Sequence, residues 1–149
     1  MQHKLARIVL AIFEGFGALT AIAGGIALMM GKIKFRLACL QGTPFSDYTI
    51  PGLVLFLVVG GGMLLAVATV FLQREGAVLI SMMVGLLMMA FEVVEVASVD
   101  SKAGEALAVA LLLQVFYFVL GLAIFELATS QWWAEYRGHS FLTRHVNHV

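Results

Sequence analysis

The sequence predicts an all-α membrane protein, an antiparallel bundle of four transmembrane helices with a structured loop between helices 1 and 2. Three observations carry that expectation. Apolar residues make up 62% of the 149 positions and charged residues only 12%, against roughly 25% charged in ordinary soluble domains. Four apolar stretches, at about 5–30, 51–72, 77–99 and 106–128, each reach the ~20 residues that cross a hydrocarbon core about 30 Å thick. The connections between them are short and polar, which makes sequential helices antiparallel neighbours. Positions 1–149 therefore read as a single integral membrane domain with a polar tail at 129–149, so any function is expected in the bundle, its loops or that tail.

The first stretch opens with Lys4 and Arg7 and contains Ala21-Ile22-Ala23, features shared with secretion signals. Its apolar run continues through Ile26, Leu28 and Met30 and carries Glu14 in its middle, which reads as a retained span. Gly17, Ala21 and Gly25 recur every four positions, a spacing that lines one helix face with small residues and lets another backbone approach. Gly31 is placed to end the helix in a left-handed conformation. From Lys32 to Leu37 basic and apolar residues alternate with a strand period, which implies pairing within the loop or a position at the membrane surface.

The longest connection, Gln41 to Gly52, is the least lipid-like segment before the tail. Its aromatic residues Phe45 and Tyr48, bracketed by Pro44 and Pro51, are expected to pack against the bundle end. Pro51 suits the first position of helix 2, and Asp47 or Thr49 is placed to cover free amide groups there. Gly60-Gly61-Gly62 interrupts the second span and permits close packing or a local distortion. Gln73 to Gly76 allows only a tight hairpin. In the third span Met82, Met83, Met88 and Met89 are read as flexible core filler. Trp132, Trp133 and Tyr136 after the fourth form an interfacial aromatic anchor.

Several function classes are excluded or disfavoured. Nine basic and nine acidic residues balance, and the basic ones are scattered or in one short cluster, so nucleic acid is not an expected partner. Cys39 is the only cysteine, which removes dithiol redox chemistry and any intramolecular disulfide. The histidines of the tail, His139, His145 and His148, lack a scaffold and a carboxylate partner for a metal site, and no histidine falls inside a span to ligate haem. No cofactor is implied. Lys4, Arg7, Arg74, Arg137 and Arg144 share one face and Lys32, Lys34, Arg36 and Lys102 the other, a five-to-four count that leans towards cytoplasmic termini.

The run from Gly42 to Gly52, GTPFSDYTIPG, followed by an apolar helix with a glycine cluster, resembles a group of small bacterial four-span membrane proteins of unassigned function. That resemblance covers the loop and second span and implies a multi-pass protein of the bacterial inner membrane. By architecture alone the chain is also similar to the DoxX-like four-helix membrane proteins. Neither resemblance transfers a catalytic residue.

An ionisable side chain at membrane depth costs roughly 2.5–3.5 kcal/mol on insertion scales, so each one calls for a partner, water or a proton. Glu92 and Gln114 fall at similar depth on antiparallel helices, and Glu95 shares the face of Glu92 one turn nearer the loop that holds Asp47 and Tyr48. Glu92, Glu95, Gln114, Asp47 and Tyr48 are thus the candidate ligand-binding residues, lining a polar cavity for a cation, proton or amphipathic small molecule. Glu14, nearer the opposite face, is a secondary candidate, and Glu126 is placed almost at the surface. No nucleophile, metal triad or cofactor motif accompanies the carboxylates, which favours an accessory or binding role over catalysis. An enzyme using the Glu92 and Glu95 carboxylates and a structural subunit of a larger complex or homo-oligomer stay open, as does interhelical glue between Glu92 and Gln114. The topology has a direct check: cysteine-accessibility labelling should place the 73–76 hairpin and the tail on one face of the membrane and the 31–50 loop on the other, and finding hairpin and tail on opposite faces would refute four spans.

Overall fold

The computed structural model describes residues 2–32, 46–72, 76–98 and 105–146, with side-chain environments for 4–32, 46–72, 76–97 and 111–134. Within them the chain forms four helices and no strand: α1 (Gln2–Met29), α2 (Thr49–Phe71), α3 (Ala77–Ser98) and α4 (Glu105–Val146). Each contains a segment long and apolar enough to cross a membrane, Lys4–Met29, Thr49–Phe71, Ala77–Ala97 and Leu111–Ala134. The chain is a multi-pass helical membrane protein. The alternating loop segment after Lys32, the Phe45 side chain and the hairpin residues 73–75 lie outside the described residues.

The helices pack as a ring, α1 on α2, α2 on α3, α3 on α4 and α4 on α1. Close approaches between α1 and α2 run Gly25 to Gly52, Gly24 to Leu55, Ile22 to Gly60 and Gly17 to Met63. As one number falls the other rises, which is the mark of an antiparallel pair. The same contact is built twice. A Cβ on Gly25 would come 2.6 Å from the Gly52 carbonyl oxygen and 2.8 Å from the Phe56 nitrogen, and one on Gly85 would come 2.8 Å from the Gly121 oxygen and 3.0 Å from the Phe125 nitrogen. From the other side, Gly52 faces Leu28 and Met29 as Gly121 faces Met88 and Met89. The sequence carries the repeat as Gly52-Leu-Val-Leu-Phe56 beside Gly121-Leu-Ala-Ile-Phe125. Small residues take this role because lipid tails are as apolar as leucine, so helices associate through close packing in place of hydrophobic exclusion.

Local chemistry sets the helix ends. Gly31 takes φ 62°, its N–H bonds Leu28 O at 3.1 Å and the Lys32 N–H bonds Ala27 O at 3.0 Å, a paired closure of the last free carbonyls. At the start of α2, Asp47 Oδ1 accepts the Thr49 N–H at 2.9 Å, as expected of a short acidic side chain at a helix entrance. Pro51 is the third residue of α2, not the first, and its missing N–H still falls within the turn that has no intrahelical acceptor. In the middle of α2 the segment Leu55–Gly60 widens to a π-helix, with the Gly61 N–H reaching Phe56 O five residues back. The distortion permitted by the glycine triplet thus runs up to its first member, where Gly60 lies close against the side chain and backbone nitrogen of Ile22.

The interior is narrow. Leu10, Met63, Met88 and Ile124 are fully enclosed, with Ala18, Ala21, Ala66 and Ala128 filling the spaces between helices. Large apolar side chains turn outward, Leu19 and Leu112 each 72% exposed, an apolar surface far beyond what a monomeric soluble protein shows. The methionines divide: Met88 fills the core, whereas Met83 is 69% exposed because it lies off the inward row 81, 84, 85, 88, 92. The fourth helix does not stop at 128. It continues to Val146 through the stretch read as a polar tail, since no proline follows Pro51 to break it. Trp132 and Trp133 stack edge-on with centroids 5.7 Å apart and remain partly exposed, as an interfacial anchor requires.

The repeated glycine contact has a mutational signature. Gly85→Val should lower the unfolding free energy in detergent by about 1–3 kcal/mol through overpacking, while Gly15→Ala, which meets nothing within 4 Å, should be neutral. Equal thermal stability of the two variants would show that the contact is not needed.

A candidate intramembrane acidic site

Residues on α3 recur inward at every third or fourth position, Ser81, Val84, Met88 and Glu92, because that spacing keeps one face of a helix towards its neighbours. Glu92 is only 5% exposed. Glu95 continues the same row one turn nearer the helix end and is half-buried. Among the described side chains of α4 the inward row runs from Gln114, 6% exposed, through Leu120, Ile124, Ala128 and Gln131. Since α3 and α4 form the closely packed second hairpin, the two rows meet.

The meeting brings together three polar side chains. The charged group that acts on Glu92 is Glu95, and the amide of Gln114 lies within electrostatic reach of Glu95. That amide nitrogen completes no hydrogen bond of good geometry, so the three groups are neighbours without being fully paired. Two carboxylates facing one another away from water repel strongly unless a proton or cation lies between them. Among the described residues no three His, Cys, Asp or Glu side chains converge, so an occupant of this site would be held by two carboxyl groups and one carboxamide.

Asp47 and Tyr48 stand at the end of the bundle to which Glu95 points, but each is placed by helix α2. Asp47 is exposed and committed to the Thr49 amide, and Tyr48 is half-buried with its carbonyl bonded to the Gly52 N–H at 2.9 Å. The structure therefore groups Glu92, Glu95 and Gln114 and gives Asp47 a local structural task. Glu126 is exposed.

Glu14 lies elsewhere and is the more deeply buried acid, fully enclosed together with Ser81 of α3. Their side chains approach across the bundle axis, yet neither carboxyl oxygen of Glu14 nor the Ser81 hydroxyl completes a hydrogen bond. Gln131, 4% exposed, likewise has an unpartnered amide nitrogen. Sequence reasoning passed over Ser81 and Gln131. Both were signalled by register: Ser81 is three turns from Glu92 on one row, and Gln131 two turns beyond Ile124 on another.

No family model matches this sequence, and neither a curated protein nor a solved structure shows significant similarity to it.

If the triad is an energetic unit, a double-mutant cycle on Glu95→Ala and Gln114→Ala should return a coupling of about 0.6–2 kcal/mol, the range for polar contacts between membrane helices. Additive effects on detergent unfolding would mean that the two side chains do not interact.

Proposed function

We propose that this protein is an accessory or binding protein of the bacterial inner membrane whose Glu92, Glu95 and Gln114 hold a singly charged cationic group, either a small cation or the head of an amphipathic molecule. The observation that carries the reading is the facing of Glu92 and Glu95 on one inward row within a span. Glue between helices is built by matching a donor to an acceptor, and two carboxyl groups in succession do the opposite. They create a demand for positive charge where hydrocarbon supplies none. Two carboxyl groups and a carboxamide offer too few oxygens for a hard divalent ion, which takes about six or more, and suit a monovalent or organic cation. Glu92 is the deep acceptor, Glu95 stands at the entrance one turn nearer the bundle end, and Gln114 supplies a neutral oxygen or N–H to orient the occupant. Within this reading both termini face the cytoplasm and the site opens towards the opposite side, below the 31–50 loop.

The test is a native mass spectrum of the protein extracted from its own membrane, compared with Glu92→Gln. The amide has the shape of the protonated acid, so the variant should fold and unfold as the parent does while losing any bound mass. Retention of the same adduct by Glu92→Gln, or no adduct in the parent together with unchanged stability of the variant, would remove the site.

A further inference from the structure

A second polar station lies in the other half of the bundle, where Glu14 of α1 and Ser81 of α3 meet, both fully enclosed. Four other hydroxyls on the spans show how such a group is satisfied in hydrocarbon. Thr20, Thr69, Thr129 and Ser130 each donate to a backbone carbonyl three or four residues back, at 2.7–3.1 Å. Ser81 does not, and it faces the one enclosed carboxyl group whose two oxygens are also unpartnered. Glu14 is thus enclosed with both oxygens outside any completed hydrogen bond, and the Ser81 hydroxyl is the polar group beside it.

We propose that Glu14 and Ser81 form a proton-binding site, independent of the Glu92 reading and in the opposite half of the membrane. A metal cation would find one carboxyl group and one hydroxyl, short of the shell of about six oxygens that hard cations take, and the enclosed side chains of the core, Leu10, Met63 and Ile124, supply none. A proton needs only one acceptor, and it converts an enclosed carboxylate into a neutral donor that Ser81 accepts. The elements packed around the site leave it otherwise uncharged. Neither α3 from Ala77 to Phe91 nor α2 from Gly61 to Phe71 contains a titratable residue. On α1 the nearest charge is Arg7, two turns towards the start, and on α4 Tyr117 is half-buried and Glu126 exposed. Ser81 and Glu92 lie three turns apart on one helix, ~16 Å along the axis, with the buried Val84 and Met88 between them. The two stations are separate, so either can fail without the other.

Infrared spectroscopy of the protein in membranes tests the assignment at neutral pH. Glu14→Gln should remove one C=O stretch of a protonated acid, and in the unaltered protein that band should shift when D2O replaces H2O. Ser81→Ala should move its frequency, and Glu92→Gln should leave it in place. Loss of ionised-carboxylate bands instead, or a band that never shifts in D2O, would overturn the proposal, the second because a sealed acid binds no proton from either side. Should Glu14→Gln fail to fold, the unaltered protein can be treated with dicyclohexylcarbodiimide. The acid oxygen adds to the carbodiimide carbon while the acid proton passes to nitrogen, and the O-acylisourea rearranges to a stable N-acylurea. One added carbodiimide mass on the Glu14 peptide, fading as pH rises, is the expected result, and labelling confined to Glu126 would refute it.

Discussion

Hydrocarbon accepts no hydrogen bond and solvates no charge, and this single constraint organises the molecule. Backbone polar groups must be closed within each segment, so the described spans are helical throughout. Where the helix widens, at Leu55–Gly60, it does so against α1 and still finds carbonyls for its N–H groups. The hydroxyls of Thr20, Thr69, Thr129 and Ser130 fold back onto their own turns, whereas that of Ser81 does not. Every acid within a span other than Glu126 is turned wholly or partly inward. The pattern departs from that of a soluble bundle: many large apolar side chains face out, and alanines share the narrow interior with Leu10, Met63, Met88 and Ile124.

Because lipid gives helices no hydrophobic reason to associate, the glycines become the main means of assembly. Gly25 with Gly52 and Gly85 with Gly121 bring backbones into contact in both hairpins with the same partner set, an aromatic residue four positions after one glycine and a methionine four positions after the other. The two contacts sit at different depths. Gly52 lies near the loop end of the bundle, whereas Gly62, ten residues further along α2, faces Val84, next to Gly85. This stagger leaves the upper part of the second hairpin without a glycine contact of its own, and Glu92, Glu95 and Gln114 occupy that part.

Much of this was legible in the residues and some was not. Span count and approximate limits follow from length and hydropathy, because hydrocarbon thickness is a hard physical ruler. The helix stop at Gly31 and the Asp47 cover on α2 were readable because capping is local. The approach of Gln114 to the end of α3 that carries Glu95 follows from depth, since antiparallel helices make depth a matter of counting. The continuation of α4 to Val146 was not, because polarity marks where a helix leaves the membrane and says nothing of where it ends. Met83 was misjudged for a related reason: residue type suggested filler, and only the register of its helix turns it outward. The Glu14 and Ser81 encounter required knowing which helices stand diagonally, which four spans alone do not specify.

The choice between structural glue and function turns on how the polar groups are matched. A polar contact kept for stability gains by joining a donor to an acceptor, and the net gain between membrane helices is modest, about 0.6 kcal/mol on average. Insertion of a carboxyl group costs several times that. Glu92 meets another acid, and Glu14 meets a hydroxyl without completing a bond to it. Replacing any of these residues with leucine or alanine would serve a bundle whose task ended at holding itself together. Glu14 and Glu92 instead stand at different depths, with the buried Val84 and Met88 on the stretch of α3 between Ser81 and Glu92, so the cost of each carboxyl group is met separately and neither offsets the other.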